Sequence, residues 1–122
     1  LAMDGRILHI HQASKLTIHN SVASDIAGIN QALVNSANTL NGSGEVIAIS
    51  DTGLDADHGD FDGRVRAVYN QFGPDNSALD SNSGHGTHVA ATLLGDGSGD
   101  VSALGMVPAA TFHFYQLEVD SS

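Results

Sequence analysis

Val46-Ile47-Ala48-Ile49 restricts the fold more than any other part of the sequence. Four consecutive apolar residues, three of them β-branched, follow the turn-forming Asn41-Gly42-Ser43-Gly44 and run into Ser50-Asp51-Thr52-Gly53. The run is too short for a helix and too uniformly apolar for a half-solvated strand, so it predicts a strand buried on both faces. Such strands belong to parallel sheets covered by helices, and the rest of the chain supplies matching pieces. Arg64 to Phe72 reads as a second strand, His85 to Leu94 as a helix opening after Gly84, and Ala110 to Glu118 as a third strand. Loops rich in Asp, Gly and Ser separate them at 52–63, 73–84 and 95–102. Between Ser24 and Thr39, Ile26, Ile29, Leu33 and Ala37 recur at helical spacing, which predicts one further helix stopped at Asn41. Residues 1–20 alternate weakly from Arg6 to His11 and fit an edge strand or an arm. The expected class is α/β: a partial doubly wound parallel sheet of three strands with flanking helices, thin for that architecture and so incomplete in this chain.

Composition narrows the functions. A chain of 122 residues suffices for one compact domain. No stretch approaches the roughly 20 apolar residues of a membrane-spanning helix. Cysteine is absent, which removes disulfides, thiolate metal sites and cysteine nucleophiles. Fourteen acidic residues face four lysines and arginines (Arg6, Lys15, Arg64 and Arg66), for a net charge of −10. That charge repels phosphate backbones and anionic lipids, so neither nucleic acid nor a membrane surface is an expected partner. Most of the acids are aspartates, which favour loops, caps and hard-cation sites. No signal-peptide pattern opens the sequence, so an exported protein would already have lost its leader.

Two clusters carry chemistry. Asp51 stands at the carboxyl end of the first strand, where open α/β sheets gather ligands and reacting groups, although an aspartate there can equally begin a turn. The second is Gly84-His85-Gly86-Thr87-His88-Val89-Ala90-Ala91. His85 opens a helix, close to positive backbone ends that favour a neutral imidazole, and a neutral imidazole can act as a general base. The plainer alternative is a capping turn. His88, three residues on, reads as a histidine packed in the core.

Together the two clusters resemble the subtilisin-like serine proteases, the subtilases, which use an Asp…His…Ser triad in that chain order. Val46 to Phe61 (VIAISDTGLDADHGDF) is similar to the first core strand and following loop of that family, and Gly105-Met106-Val107-Pro108-Ala109-Ala110 to its turn into the next strand. The resemblance covers about 44–118, within an expected amino-terminal portion of a catalytic domain spanning 1–122. It implies Asp51 as the triad acid and His85 as the general base. Thr52 and Gly53 would turn the chain beneath the acid, Gly86 would allow close backbone approach, and His88 would be a packed support. Ala91 stands where the family usually has glycine. No Gly-Thr-Ser-Met-Ala-type nucleophile motif occurs, and the segment carrying the oxyanion asparagine is also missing.

The resemblance therefore implies part of a secreted or extracellular serine endopeptidase acting on proteins or peptides, with its nucleophile serine outside this chain. The implied partner is the remaining catalytic-domain segment or a complementary chain carrying that serine, added beside the strand at Val46 to Ser50. One alternative is a non-catalytic subtilase-like fragment or pseudoprotease that binds a partner. Another is a hydrolytic metal site built from Asp51, His85 and His88. The resemblance also implies a structural calcium ion, with Asp60, nine residues beyond Asp51, and Asp96 and Asp100 in the 95–102 loop as oxygen ligands.

Overall fold

The computed structural model describes residues 20–37, 39–70 and 84–117. The arm considered for 1–20 and most of the loop at 73–84 lie outside the described residues. Three strands form one parallel sheet: β1 (Val46–Asp51), β2 (Val65–Asn70) and β3 (Thr111–Gln116), in the spatial order β1-β3-β2. Helix α3 (His85–Leu94) lies in the connection from β2 to β3, as a parallel crossover requires. Two short helices, α1 (Asn20–Ile26) and α2 (Ile29–Asn35), precede the sheet. Single 3₁₀ turns occupy Gly59–Phe61, inside the loop expected at 52–63, and Val101–Ala103, across the end of the loop expected at 95–102.

The core lies between one face of the sheet and α3. Ile49, Leu54, Phe61, Ala90, Leu94, Ala110, Phe112 and Phe114 are buried in one cluster. The register sets Ile47 beside Phe112, Ile49 beside Phe114 and Asp51 beside Gln116, and residues paired in this way point to the same side of the sheet. Gly86, Ala90 and Leu94 are the buried residues of α3, spaced by four, so one stripe of the helix faces the phenylalanines. Phe61 meets Phe112 edge to face, with centroids 5.5 Å apart. On the opposite face Tyr69 stacks on Tyr115 at 4.8 Å.

The structure corrects two expectations here. The strand buried along its length is β3, which alternates half-buried and fully buried residues between two neighbours. β1 lies at the sheet edge among the described residues, with Val46 and Ala48 exposed and only Ile49 buried. An apolar run records a strand's tendency to be covered, but position in the sheet decides how much of it is covered. The single helix expected from Ser24 to Thr39 is two helices broken at Gly28, whose φ of 74° is left-handed and whose lack of a Cβ makes that conformation inexpensive. The break turns Ile26 into solvent, 83% exposed, and leaves Leu33 as the buried apolar anchor of α2.

Candidate active site

Asp51 ends β1 and His85 begins α3, and the fold closes the 34-residue separation between them. His85 Nδ1 lies 2.6 Å from Asp51 Oδ1. An ionised carboxylate offers only acceptors, so the short contact places the proton on Nδ1 and leaves the basic lone pair on Nε2. The acid side chain is 17% exposed and the imidazole 64%, so a sheltered carboxylate orients a ring that solvent or substrate can reach.

Two threonines and one glycine set this geometry. The Thr52 N–H donates to Asp51 Oδ1 at 2.7 Å, fixing the carboxylate from below. Thr52 Oγ1 accepts the Gly86 N–H at 3.0 Å, and Thr87 Oγ1 accepts the Asp55 N–H at 2.9 Å, so the strand-end turn and the first turn of α3 are tied in both directions. A Cβ on Gly86 would stand 2.3 Å from the Gly53 carbonyl oxygen and 3.0 Å from Phe114. Only glycine lets α3 approach this closely, which makes Gly86 the residue that sets the Asp51–His85 distance. Partial burial pushes the Asp51 carboxyl up, but the hydrogen bonds from His85 and Thr52 and the attraction of the imidazolium outweigh it. The net position is below the ordinary 3.8.

Asp51, His85, Thr52, Gly53 and Gly86 thus come together at the carboxyl end of β1. His88 does not join them: its side chain is exposed, against the expectation of a packed support. A helix advances about 100° per residue, so His88, two residues past Gly86, lies on the side of α3 away from the Gly86-Ala90-Leu94 stripe that meets the sheet. Among the described residues no three His, Asp or Glu side chains are grouped as metal ligands, which leaves the Asp51–His85–His88 metal reading without a geometric basis.

The carboxylates expected to hold calcium are each engaged within the protein. Asp60 is buried, and its Oδ1 accepts the Gly99 N–H at 3.0 Å. Asp96 Oδ1 accepts both the N–H and the hydroxyl of Ser98, and Asp100 Oδ1 accepts both from Ser102. Asp60 and Asp96 do lie beside one another, since the Asp96 N–H donates to the Asp60 carbonyl, whereas Asp100 is spent on its own turn in solvent. As they stand, the three do not form a ligand set.

Sequence reasoning missed Thr87, Arg64 and Gln116. Thr87 was legible only as part of the motif. Arg64 carried the signal of being one of four lysines and arginines in an acidic chain. Gln116 is fully buried beside Asp51 in the register, with neither amide atom hydrogen-bonded within the described structure. The period-two alternation from Phe112 through Phe114 could have placed it on the covered face.

Residues 42–122 match the model of the subtilase family, so the chain belongs to that family and its parallel sheet with flanking helices is the subtilisin-like α/β arrangement. It is 39% identical over 70 residues to a thermophilic serine proteinase of Bacillus sp. (strain AK1), an alignment covering 57% of this chain and 17% of that protein. It is 45% identical over 58 residues to alkaline protease 1 of Emericella nidulans, covering 48% of this chain and 14% of that protein. It is 39% identical over 75 residues to an extracellular serine proteinase of Thermus sp. (strain Rt41A), covering 62% and 17%. The chain therefore spans less than a fifth of the length of these relatives. No helix among the described residues is long and apolar enough to cross a membrane.

Proposed function

We propose that this chain contributes the acid and the general base of a secreted serine endopeptidase, Asp51 and His85, and that the nucleophile serine is supplied from outside these 122 residues. The observation that carries the reading is the 2.6 Å contact between Asp51 Oδ1 and His85 Nδ1 at the carboxyl end of a parallel strand. Asp51, ionised at neutral pH, holds Nδ1–H and orients Nε2 outward. Nε2 takes the serine hydroxyl proton as the oxygen bonds to the scissile carbonyl carbon. The carbonyl π electrons move to oxygen, and Asp51 stabilises the imidazolium so formed. The imidazolium then returns its proton to the departing amine as the C–N bond breaks, leaving an acyl-enzyme. Water repeats the sequence, with His85 again as base, and releases the acid product.

Further support comes from the relatives, which are named as serine proteinases, one of them extracellular. None of the serines here has the nucleophile context of the family. The substrate is accordingly a protein or peptide. The implied partner, the remaining catalytic segment or a complementary chain, would pair along β1, which has one strand neighbour among the described residues.

The experiment is hydrolysis of casein and labelling by a fluorophosphonate probe, carried out on the full-length protein that carries this sequence and on the 122-residue chain alone. The expected result is hydrolysis and single-serine labelling in the full-length protein, both lost in His85→Ala, and neither in the short chain. Full-length protein that is folded yet neither hydrolyses nor labels would overturn the reading in favour of a non-catalytic binding module.

A further inference from the structure

Arg64 stands just before β2, and its side chain reaches three backbone carbonyls and one carboxylate from separate parts of the chain. One guanidinium nitrogen donates to the Leu94 carbonyl at 2.5 Å and makes a longer 3.5 Å contact with the Ala110 carbonyl. The other donates to the Asp60 carbonyl and lies 3.9 Å from Asp96 Oδ2. We propose that the Arg64 guanidinium is the resident cation of this junction, binding the Asp60 turn, the end of α3, the entry to β3 and the 95–102 loop together where the family resemblance implies calcium.

The oxygens gathered here are of the kind a hard cation collects: backbone carbonyls and carboxylate. Leu94 is the last residue of α3, so its carbonyl is one of the four that a helix leaves without an internal partner, at the negative end of the helix dipole. Ala110 and Asp60 are buried; the Asp60 carbonyl already accepts the Asp96 N–H, and the guanidinium adds a charged donor to it. A guanidinium suits the task, since its planar fork presents five donors and its charge is permanent. Its side chain is 13% exposed, so the contact is sheltered from water.

The carboxylates agree with this assignment. A calcium ion takes six to eight oxygens. Here Asp96 Oδ1 and Asp100 Oδ1 are turned onto Ser98 and Ser102, and Asp60 Oδ1 onto the Gly99 N–H. Asp96 is held below its ordinary range by Ser98 first and by Arg64 in addition. A divalent ion bound among these oxygens would also sit against a fixed positive charge.

The test is thermal melting of the full-length protein in a His85→Ala background, which suppresses self-digestion, with millimolar calcium or with chelator. Arg64→Met is expected to lower the melting temperature by roughly 5–10 °C. Arg64→Lys, which keeps the charge but not the fork, should recover less than half of that loss. Whatever shift calcium produces in the parent should persist unchanged in Asp60→Asn and Asp96→Asn, because neither carboxylate ligates it. Loss of the calcium-dependent shift in either Asn variant would overturn the proposal, as would Arg64→Met or Arg64→Lys melting like the parent. Should Arg64→Met not fold, the lysine and asparagine variants still decide between the two cations.

Discussion

At its amino end α3 presents His85 to the Asp51 carboxylate; at its carboxyl end Leu94 gives its carbonyl to the Arg64 guanidinium. Each contact joins residues at least 30 positions apart, and each ties the helix to the region of a strand. The imidazole is 64% exposed and titratable, whereas the guanidinium side chain is 13% exposed and permanently charged. One end of the helix thus presents an exposed imidazole, and the other is tied down by a sheltered, permanent charge. For the general base proposed above both ends matter, because an imidazole is oriented only as well as the helix that carries it is fixed.

The comparison breaks most directly at the exposed end. In the full-length protein, Asp51→Asn should lower kcat by about 10⁴-fold while the protein stays folded, since the amide keeps the shape but no longer enforces the Nδ1–H tautomer. His85→Ala should cost at least as much. Steady-state kinetics on a peptide substrate checks both, and an Asp51→Asn enzyme within tenfold of wild type would remove Asp51 from the site.

A smaller effect separates geometry from chemistry. Gly86→Ala places a methyl group 2.3 Å from the Gly53 carbonyl, so α3 must retreat from the strand-end turn. The expected cost is about 1–3 kcal/mol of stability. Activity should fall as well, because Asp51 and His85 separate. Chemical denaturation together with kinetics would show this, and a variant equal to wild type in both would mean that α3 can approach without glycine.

The acid side of the pair should also be visible in stability against pH. The folded Asp51 carboxyl lies below its ordinary 3.8, so its contribution is present above that value and is lost as pH falls through the lowered folded value. Melting temperatures of wild type and Asp51→Asn should therefore differ at neutral pH and converge in that acid range. A gap that stays constant down to the lowest pH at which the protein folds would contradict the pairing. Asp96 and Asp100 titrate in the same direction, each held down first by its serine, so the single substitution isolates one share.

The smallest effect belongs to the locked end's outer loop. Asp100 caps the 3₁₀ turn at Val101–Ala103 through Ser102, fully in solvent. Asp100→Ala should lower the denaturation midpoint only slightly, as the loss of one exposed cap would, and leave kcat unchanged. A large drop in that midpoint would mean that Asp100 does more than close its own turn.

The sequence by itself determined most of the elements and pointed to Asp51 and His85, whose side chains the fold brings into contact. Periodicity and turn chemistry located α3 at His85–Leu94 and placed β2 and β3 within a few residues of their ends, because these are local properties of backbone and side-chain pattern. The Asp-Thr-Gly and Gly-His-Gly-Thr-His motifs singled out Asp51 and His85 through their joint resemblance to the subtilases, each motif alone being compatible with a plain turn or cap. Tertiary structure decided what depends on neighbours distant in the chain. It set β3 between β1 and β2 among the described residues and left β1 largely uncovered, split the first helix at Gly28, turned His88 outward, and buried Gln116 beside Asp51. It also brought Arg64 onto the carbonyls of Asp60 and Leu94, residues 4 and 30 positions away. Burial and long-range hydrogen bonds are set by which surfaces meet, and a linear pattern states only what each surface would tolerate.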